Sequence, residues 1–192
     1  MNLSNLTRYF NLNGAPHTLS DHEVELATPQ HLSLSSSQPG IPTGSIDPHP
    51  LVPASGSFPL STASNPDILP IDDCFIIDTD PASIPLDTRS HPLRQLALVK
   101  GRKTKIVLKV ESTEPAFQFY TGKFLDVPPW KAGKGEDGKE YEGGEGWGKF
   151  SGFCVEPSRY VDAANRDEWR GMCLLKRGET FGFKTRYWAF VE

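Results

Sequence analysis

Apolar and polar positions alternate with a period of two over several short stretches, the spacing of a strand with one buried face. His22 to Ala27 (HEVELA) carries that pattern, and Cys74 to Asp78 is a short apolar run. Arg94 to Lys100 and Thr104 to Val110 flank Gly101-Arg102-Lys103, which predicts a hairpin. Ala116 to Tyr120, Gly152 to Val155, Met172 to Leu175 and Phe183 to Val191 extend the series. Asp162 to Trp169 gives the one helical hint, about two turns long. Strands without a convincing amphipathic helix predict an all-β protein built as an antiparallel β-sandwich.

Two stretches interrupt the pattern. Eleven of the 17 prolines lie between Pro39 and Pro92, interleaved with serine from Ser33 to Ser64. Proline removes a backbone donor and fixes φ, which excludes regular helix and central strand there. Apolar residues such as Ile41, Val52, Phe58 and Leu60 recur through it, so residues 33–70 are expected to be irregular chain pinned to a core. Nine of the 17 glycines fall between Gly122 and Gly152. Within that region residues 127–149, rich in glycine, lysine and glutamate, are expected to form a mobile surface loop. Its GKGEDGK string lacks the order of a phosphate-binding loop. The whole chain, residues 1–192, is expected to be a single domain.

Composition narrows the function. The 192 residues are 37% hydrophobic, enough for a packed core, and the formal charge is −4. That balance offers no basic surface to a phosphate backbone, so no nucleic acid partner is expected. No apolar run approaches the roughly 18–20 residues that cross a bilayer. The first residues lack the layout of a signal peptide, so the expectation is a cytoplasmic protein without membrane contact. Cys74, Cys154 and Cys173 are widely spaced and odd in number, which reads as reduced thiols. The sequons at Asn2 and Asn5 are expected to be chance matches.

Local strings carry a resemblance. In order stand NLSNLTRYFNL (Asn2 to Leu12), Asp21-His22-Glu23, IPTG (Ile41 to Gly44) and IDDCFIID (Ile71 to Asp78). STEPAFQFYTGKFLD (Ser112 to Asp126), GFCVEPSRYVDAAN (Gly152 to Asn165) and LLKRGETF (Leu174 to Phe181) follow. Together they resemble the C-terminal part of the aldose 1-epimerases, or galactose mutarotases, with wording closest to the fungal members. The resemblance implies a galactose mutarotase-like β-sandwich, N-terminally truncated. It implies an isomerase that interconverts the α and β anomers of aldohexoses such as galactose and glucose. No metal and no organic cofactor is implied.

By that resemblance Glu156 is the general base, and Asp72 and Gln118 bind sugar hydroxyls. The residue types suit the task, since a carboxylate is ionised at neutral pH and an amide both donates and accepts. Asp73 beside Asp72 leaves that assignment open by one residue. Phe119, Tyr120 and Phe124 are expected to pack in the core. The family's general-acid histidine falls on Leu6, Thr7 or Arg8, none of which can donate a proton near neutral pH. His17 and His22 are nearby, and both are expected to be structural. The resemblance places the N-terminal half of the family domain, with two further sugar-pocket residues, outside this chain. Weak or absent activity is therefore expected, and self-association through exposed sheet edges is a possibility to test. Two alternatives stand beside the enzyme: an inactive carbohydrate-binding or interaction protein, and a non-functional mutarotase fragment.

Overall fold

The computed structural model describes residues 9–14, 18–129, 131–134, 140–141 and 143–192. Asn2, Asn5, Leu6, Thr7, Arg8 and His17 lie outside the described residues. Among the described residues twelve strands follow in chain order: β1 (His22–Leu26), β2 (Gln30–Leu34), β3 (Pro42–Pro48), β4 (Ser57–Pro59), β5 (Asp72–Ile76) and β6 (Arg94–Gly101). After them come β7 (Ile106–Ser112), β8 (Ala116–Tyr120), β9 (Gly133–Lys134), β10 (Glu140–Tyr141), β11 (Cys154–Ser158) and β12 (Thr185–Val191). Among the described residues there is no α-helix.

Two five-stranded antiparallel sheets form the body, ordered β12-β7-β6-β1-β4 and β11-β8-β5-β2-β3. The alternation read in the sequence sets which face of each strand is buried. Val24 and Leu26 of β1, Val99 of β6, and Leu108 and Val110 of β7 meet Phe75 of β5, Phe117 and Phe119 of β8, and Val155 of β11 between the sheets. The hairpin expected at Gly101-Arg102-Lys103 is the β6–β7 connection. Arg94 at the start of β6 grips Asp78, just past β5, through two bonds of 2.6 and 2.7 Å. Such a fork fixes orientation as well as distance, and it couples one sheet to the other.

Three elements depart from the pattern. Residues 33–70 contain β3 and β4, and each closes one edge of a sheet. Pro42, Pro48 and Pro59 stand at their ends, where a missing donor is tolerated. The run Met172 to Leu175 is not a strand. Met172 is buried at the end of a 3-10 turn, Arg170–Met172, against Tyr160 and Trp169, while Leu174 and Leu175 are exposed without a strand neighbour. The helical hint, Asp162 to Trp169, holds one 3-10 turn, Ala163–Asn165, and ends where the Arg170–Met172 turn begins. Part of the expected 127–149 loop lies outside the described residues; its described portion holds the short β9–β10 ladder.

This return segment defines where the second sheet is open. On the sheet's outer face Leu32, Cys74, Ile76 and Ala116 are roofed by Tyr160, Ala163, Trp169 and Met172. The roof stops short of Asp72, Gln118 and Glu156.

Candidate active site

Glu156, Gln118 and Asp72 come from three adjacent strands. Directly opposed residues of antiparallel strands share a face, and register places Glu156 opposite Gln118, with Cys74 on Gln118's other side. Asp72 is opposite Tyr120, which is two residues from Gln118 and therefore on the same face. Glu156, Gln118, Tyr120 and Asp72 project from the outer face beyond the roof, while Cys74 lies beneath it.

Gln118 Nε2 donates to Asp72 Oδ1 at 2.8 Å. Gln118 Oε1 is buried and has no hydrogen-bond partner among the described residues. A buried amide oxygen without a donor is costly, on the order of 1–3 kcal/mol, unless another molecule supplies one. The pair stands at an open cavity of about 630 Å³, whose lining includes Asp72, Gln118, Leu34, Pro42 and Phe124, with the unmatched amide oxygen buried at its wall. That size lies within the roughly 300–1,000 Å³ range of small-molecule sites.

The turn after β8 supplies the rim. Gly122 adopts φ of +75°, and a Cβ there would come within 2.4 Å of the Gly152 carbonyl oxygen. Thr121 ties the turn down, accepting from the Ile71 amide at 3.0 Å and donating to the Leu69 carbonyl at 2.8 Å. Lys123 and Phe124 are thereby brought to the cavity. Phe124 is 70% exposed, so the expected core packing is corrected: its place beyond the glycine turn leaves no sheet to cover it. Phe119 is fully buried between the sheets, and Tyr120 is half-buried on the open face.

Asp72 and Asp73 part company. Asp73 faces inward, where His49 Nε2 donates to its Oδ2 at 3.1 Å. Burial raises the Asp73 carboxyl, but hydrogen bonds from His49 and the Asp72 amide, with the nearby His49 and His31, carry it below its usual value. His31, His49 and Asp73 offer three ligand atoms within 4.8 Å of one another. His49 Nδ1, however, accepts from the Leu51 amide at 3.1 Å, so its proton sits on Nε2 and leaves no lone pair for a cation. The cluster is a hydrogen-bonded support for β5. Pattern reading missed it because its members come from separate strands and loops.

Two thiols flank the site. Burial, then the charges of Glu156 and Asp72, pushes Cys154 up to about 12, and burial pushes Cys74 up to about 11. His22 is structural: it is fully buried in the inner layer, accepts from the Leu12 amide at 3.0 Å, and is lowered to about 4 by desolvation.

Fold and site together define an antiparallel β-sandwich with carboxylate and amide groups gathered on one open face. The aldose 1-epimerase family profile matches residues 5–188, and the chain belongs to that family. It is 33% identical over 187 residues to the bifunctional protein GAL10 of Kluyveromyces lactis, covering 97% of this chain and 24% of that protein. It is 30% identical over 190 residues to the galactose mutarotase of Rattus norvegicus, covering 96% and 48%. A solved GalM/aldose epimerase homologue from C. elegans superposes with a TM-score of 0.65 at 20% identity, over 95% of this chain and 49% of that one. The chain spans about half the length, or less, of these relatives.

Proposed function

We propose that this chain binds aldohexoses such as galactose and glucose on the open face of its second sheet and interconverts their α and β anomers. The carrying observation is the meeting of Glu156, Gln118 and Asp72 on adjacent strands, the last two lining an open cavity. In this reading Glu156 takes the proton from the anomeric hydroxyl while the C1–O5 bond breaks and a second group protonates O5. The open-chain aldehyde turns about C1–C2, and closure on the other face returns both protons. Asp72 accepts from sugar hydroxyls, and Gln118 Oε1 receives the hydroxyl donor it lacks.

A second reading is favoured by the residues at the family's histidine position, Leu6, Thr7 and Arg8, which cannot act as the acid. In it the site binds sugar without turnover. Anomer exchange of galactose and glucose, measured by saturation-transfer NMR on the chain and on Glu156→Gln, separates the two. Turnover that falls by about 10²–10⁴-fold in the variant is the expected result for an enzyme. Sugar binding by calorimetry with no faster exchange would establish the binding protein, and neither signal from a folded sample would overturn both.

A further inference from the structure

Ring opening needs a proton donor for O5 as well as a base for O1, and both oxygens are bonded to the same carbon. The donor must therefore stand within reach of the point that Glu156 serves. The described histidines do not qualify: His22, His31 and His49 lie in the inner layer, and His91 lies in a separate cavity beside Arg94. Cys74 and Cys154 are held as buried thiols with raised ionisation, which makes them poor donors. Among the described residues, the remaining candidates on the open face are Tyr9, Tyr120 and Lys123.

We infer that the Tyr120 hydroxyl is the proton donor to the ring oxygen, an assignment that rests on the proposed epimerase reading. Tyr120 is opposite both Asp72 and Cys154, hence diagonal to Glu156, a spacing of roughly 7–8 Å that long side chains bridge. Its oxygen accepts the Phe124 amide at 2.6 Å, which ties the hydroxyl to a residue that lines the cavity. With one lone pair engaged by that amide, the O–H is polarised and left to donate. Tyr9 packs edge-on against the Tyr120 ring, with centroids 6.2 Å apart, and lines a separate cavity with Leu125, Val127 and Trp147. Lys123 is exposed, and its ammonium lies over the Phe124 ring, 5.4 Å from the centroid.

The step balances. As C1–O5 breaks, the Tyr120 proton passes to O5, leaving a phenolate, while Glu156 holds the O1 proton. On closure O5 returns its proton to Tyr120, and Glu156 returns its own to the former carbonyl oxygen. A phenol is a weaker acid than an imidazolium, so its match to neutral pH is poorer and the turnover slow.

The test compares the full chain with Tyr120→Phe, Tyr9→Phe, Lys123→Met and Glu156→Gln, using galactose as the probe. Anomer exchange gives kcat and KM, saturation-difference NMR gives binding, and a circular dichroism melt checks folding. Tyr120→Phe is expected to lower kcat by about 10²–10⁴-fold with KM and binding unchanged. Tyr9→Phe and Lys123→Met are expected to keep most of the parent's kcat. Unchanged kcat in Tyr120→Phe, a rise in KM alone, or loss confined to Tyr9→Phe or Lys123→Met would overturn the assignment. If Glu156→Gln still collapses in that case, the epimerase reading stands without it. A folded parent with no exchange removes the reading and the donor together. If Tyr120→Phe fails to fold, the folded Tyr9→Phe protein is made with 3-fluorotyrosine, which keeps the Tyr120 hydroxyl and makes it more acidic: a moved alkaline limb of the kcat–pH profile is expected, and an unmoved profile would overturn the assignment.

Discussion

Two polar side chains show how far burial alone decides chemistry. Gln118 keeps an unmatched oxygen at the edge of an open cavity, whereas His22 has its Nε2 matched by the Leu12 amide and no route to water. His22 is lowered to about 4, so between that value and the ordinary 6.5 the unfolded chain binds a proton that the folded chain does not. Stability is therefore full above pH 6.5 and lost as pH falls toward 4, by up to about 3 kcal/mol. Urea midpoints at pH 7 and pH 5 should differ in the parent and converge in His22→Gln; parallel curves would show that the acid sensitivity comes from elsewhere. The sequence named Glu156, Asp72 and Gln118 from their strings, and it left Asp72 against Asp73 open. Only sheet register turns one outward and the other inward, because neighbouring strand residues look identical in composition. Phe124 was misplaced for a related reason: hydrophobicity says what a side chain prefers, and the glycine turn decides where it goes.

At the scale of the strand, β8 has work on both of its faces. Phe117 and Phe119 bind it to the core on one side, and Gln118 and Tyr120 serve the open face on the other. Phe117 stacks on Phe75 with centroids 5.6 Å apart and is fully buried. Phe117→Ala should cost about 3–5 kcal/mol, read from the denaturation midpoint, through lost burial and the cavity left behind. Ala116–Tyr120 was legible to the residue because its alternation is clean. Strand β11 runs Cys154–Ser158, shifted toward the C-terminus from the expected Gly152 to Val155, since pairing with β8 continues to Ser158 opposite Ala116. Strand β2 was missed: QHLSL is followed by a run of serines that masks its period. Tertiary pairing, not local pattern, sets those ends.

At the scale of the whole molecule, one sheet edge carries large exposed apolar side chains. Strand β12 has β7 as its strand neighbour on one side among the described residues, and it carries Trp188, 52% exposed, and Val191, 68% exposed. Unpaired, apolar edges recruit other strands. Sedimentation velocity should show association that grows with protein concentration, and Val191→Lys should shift the chain toward monomer. A parent that stays monomeric at every concentration would mean the edge is already protected. The class of fold was legible because strand patterns and family strings agreed. The layout of the sheets was not, since strands next to each other in space, such as β5 and β8, are far apart in the chain. That layout also turns two consecutive aspartates into a paired gauge. Isotope-labelled carboxyl carbons at Asp72 and Asp73 would answer different questions from adjacent peptide units: one resonance follows what occupies the open face, and the other follows whether the two sheets remain closed on each other.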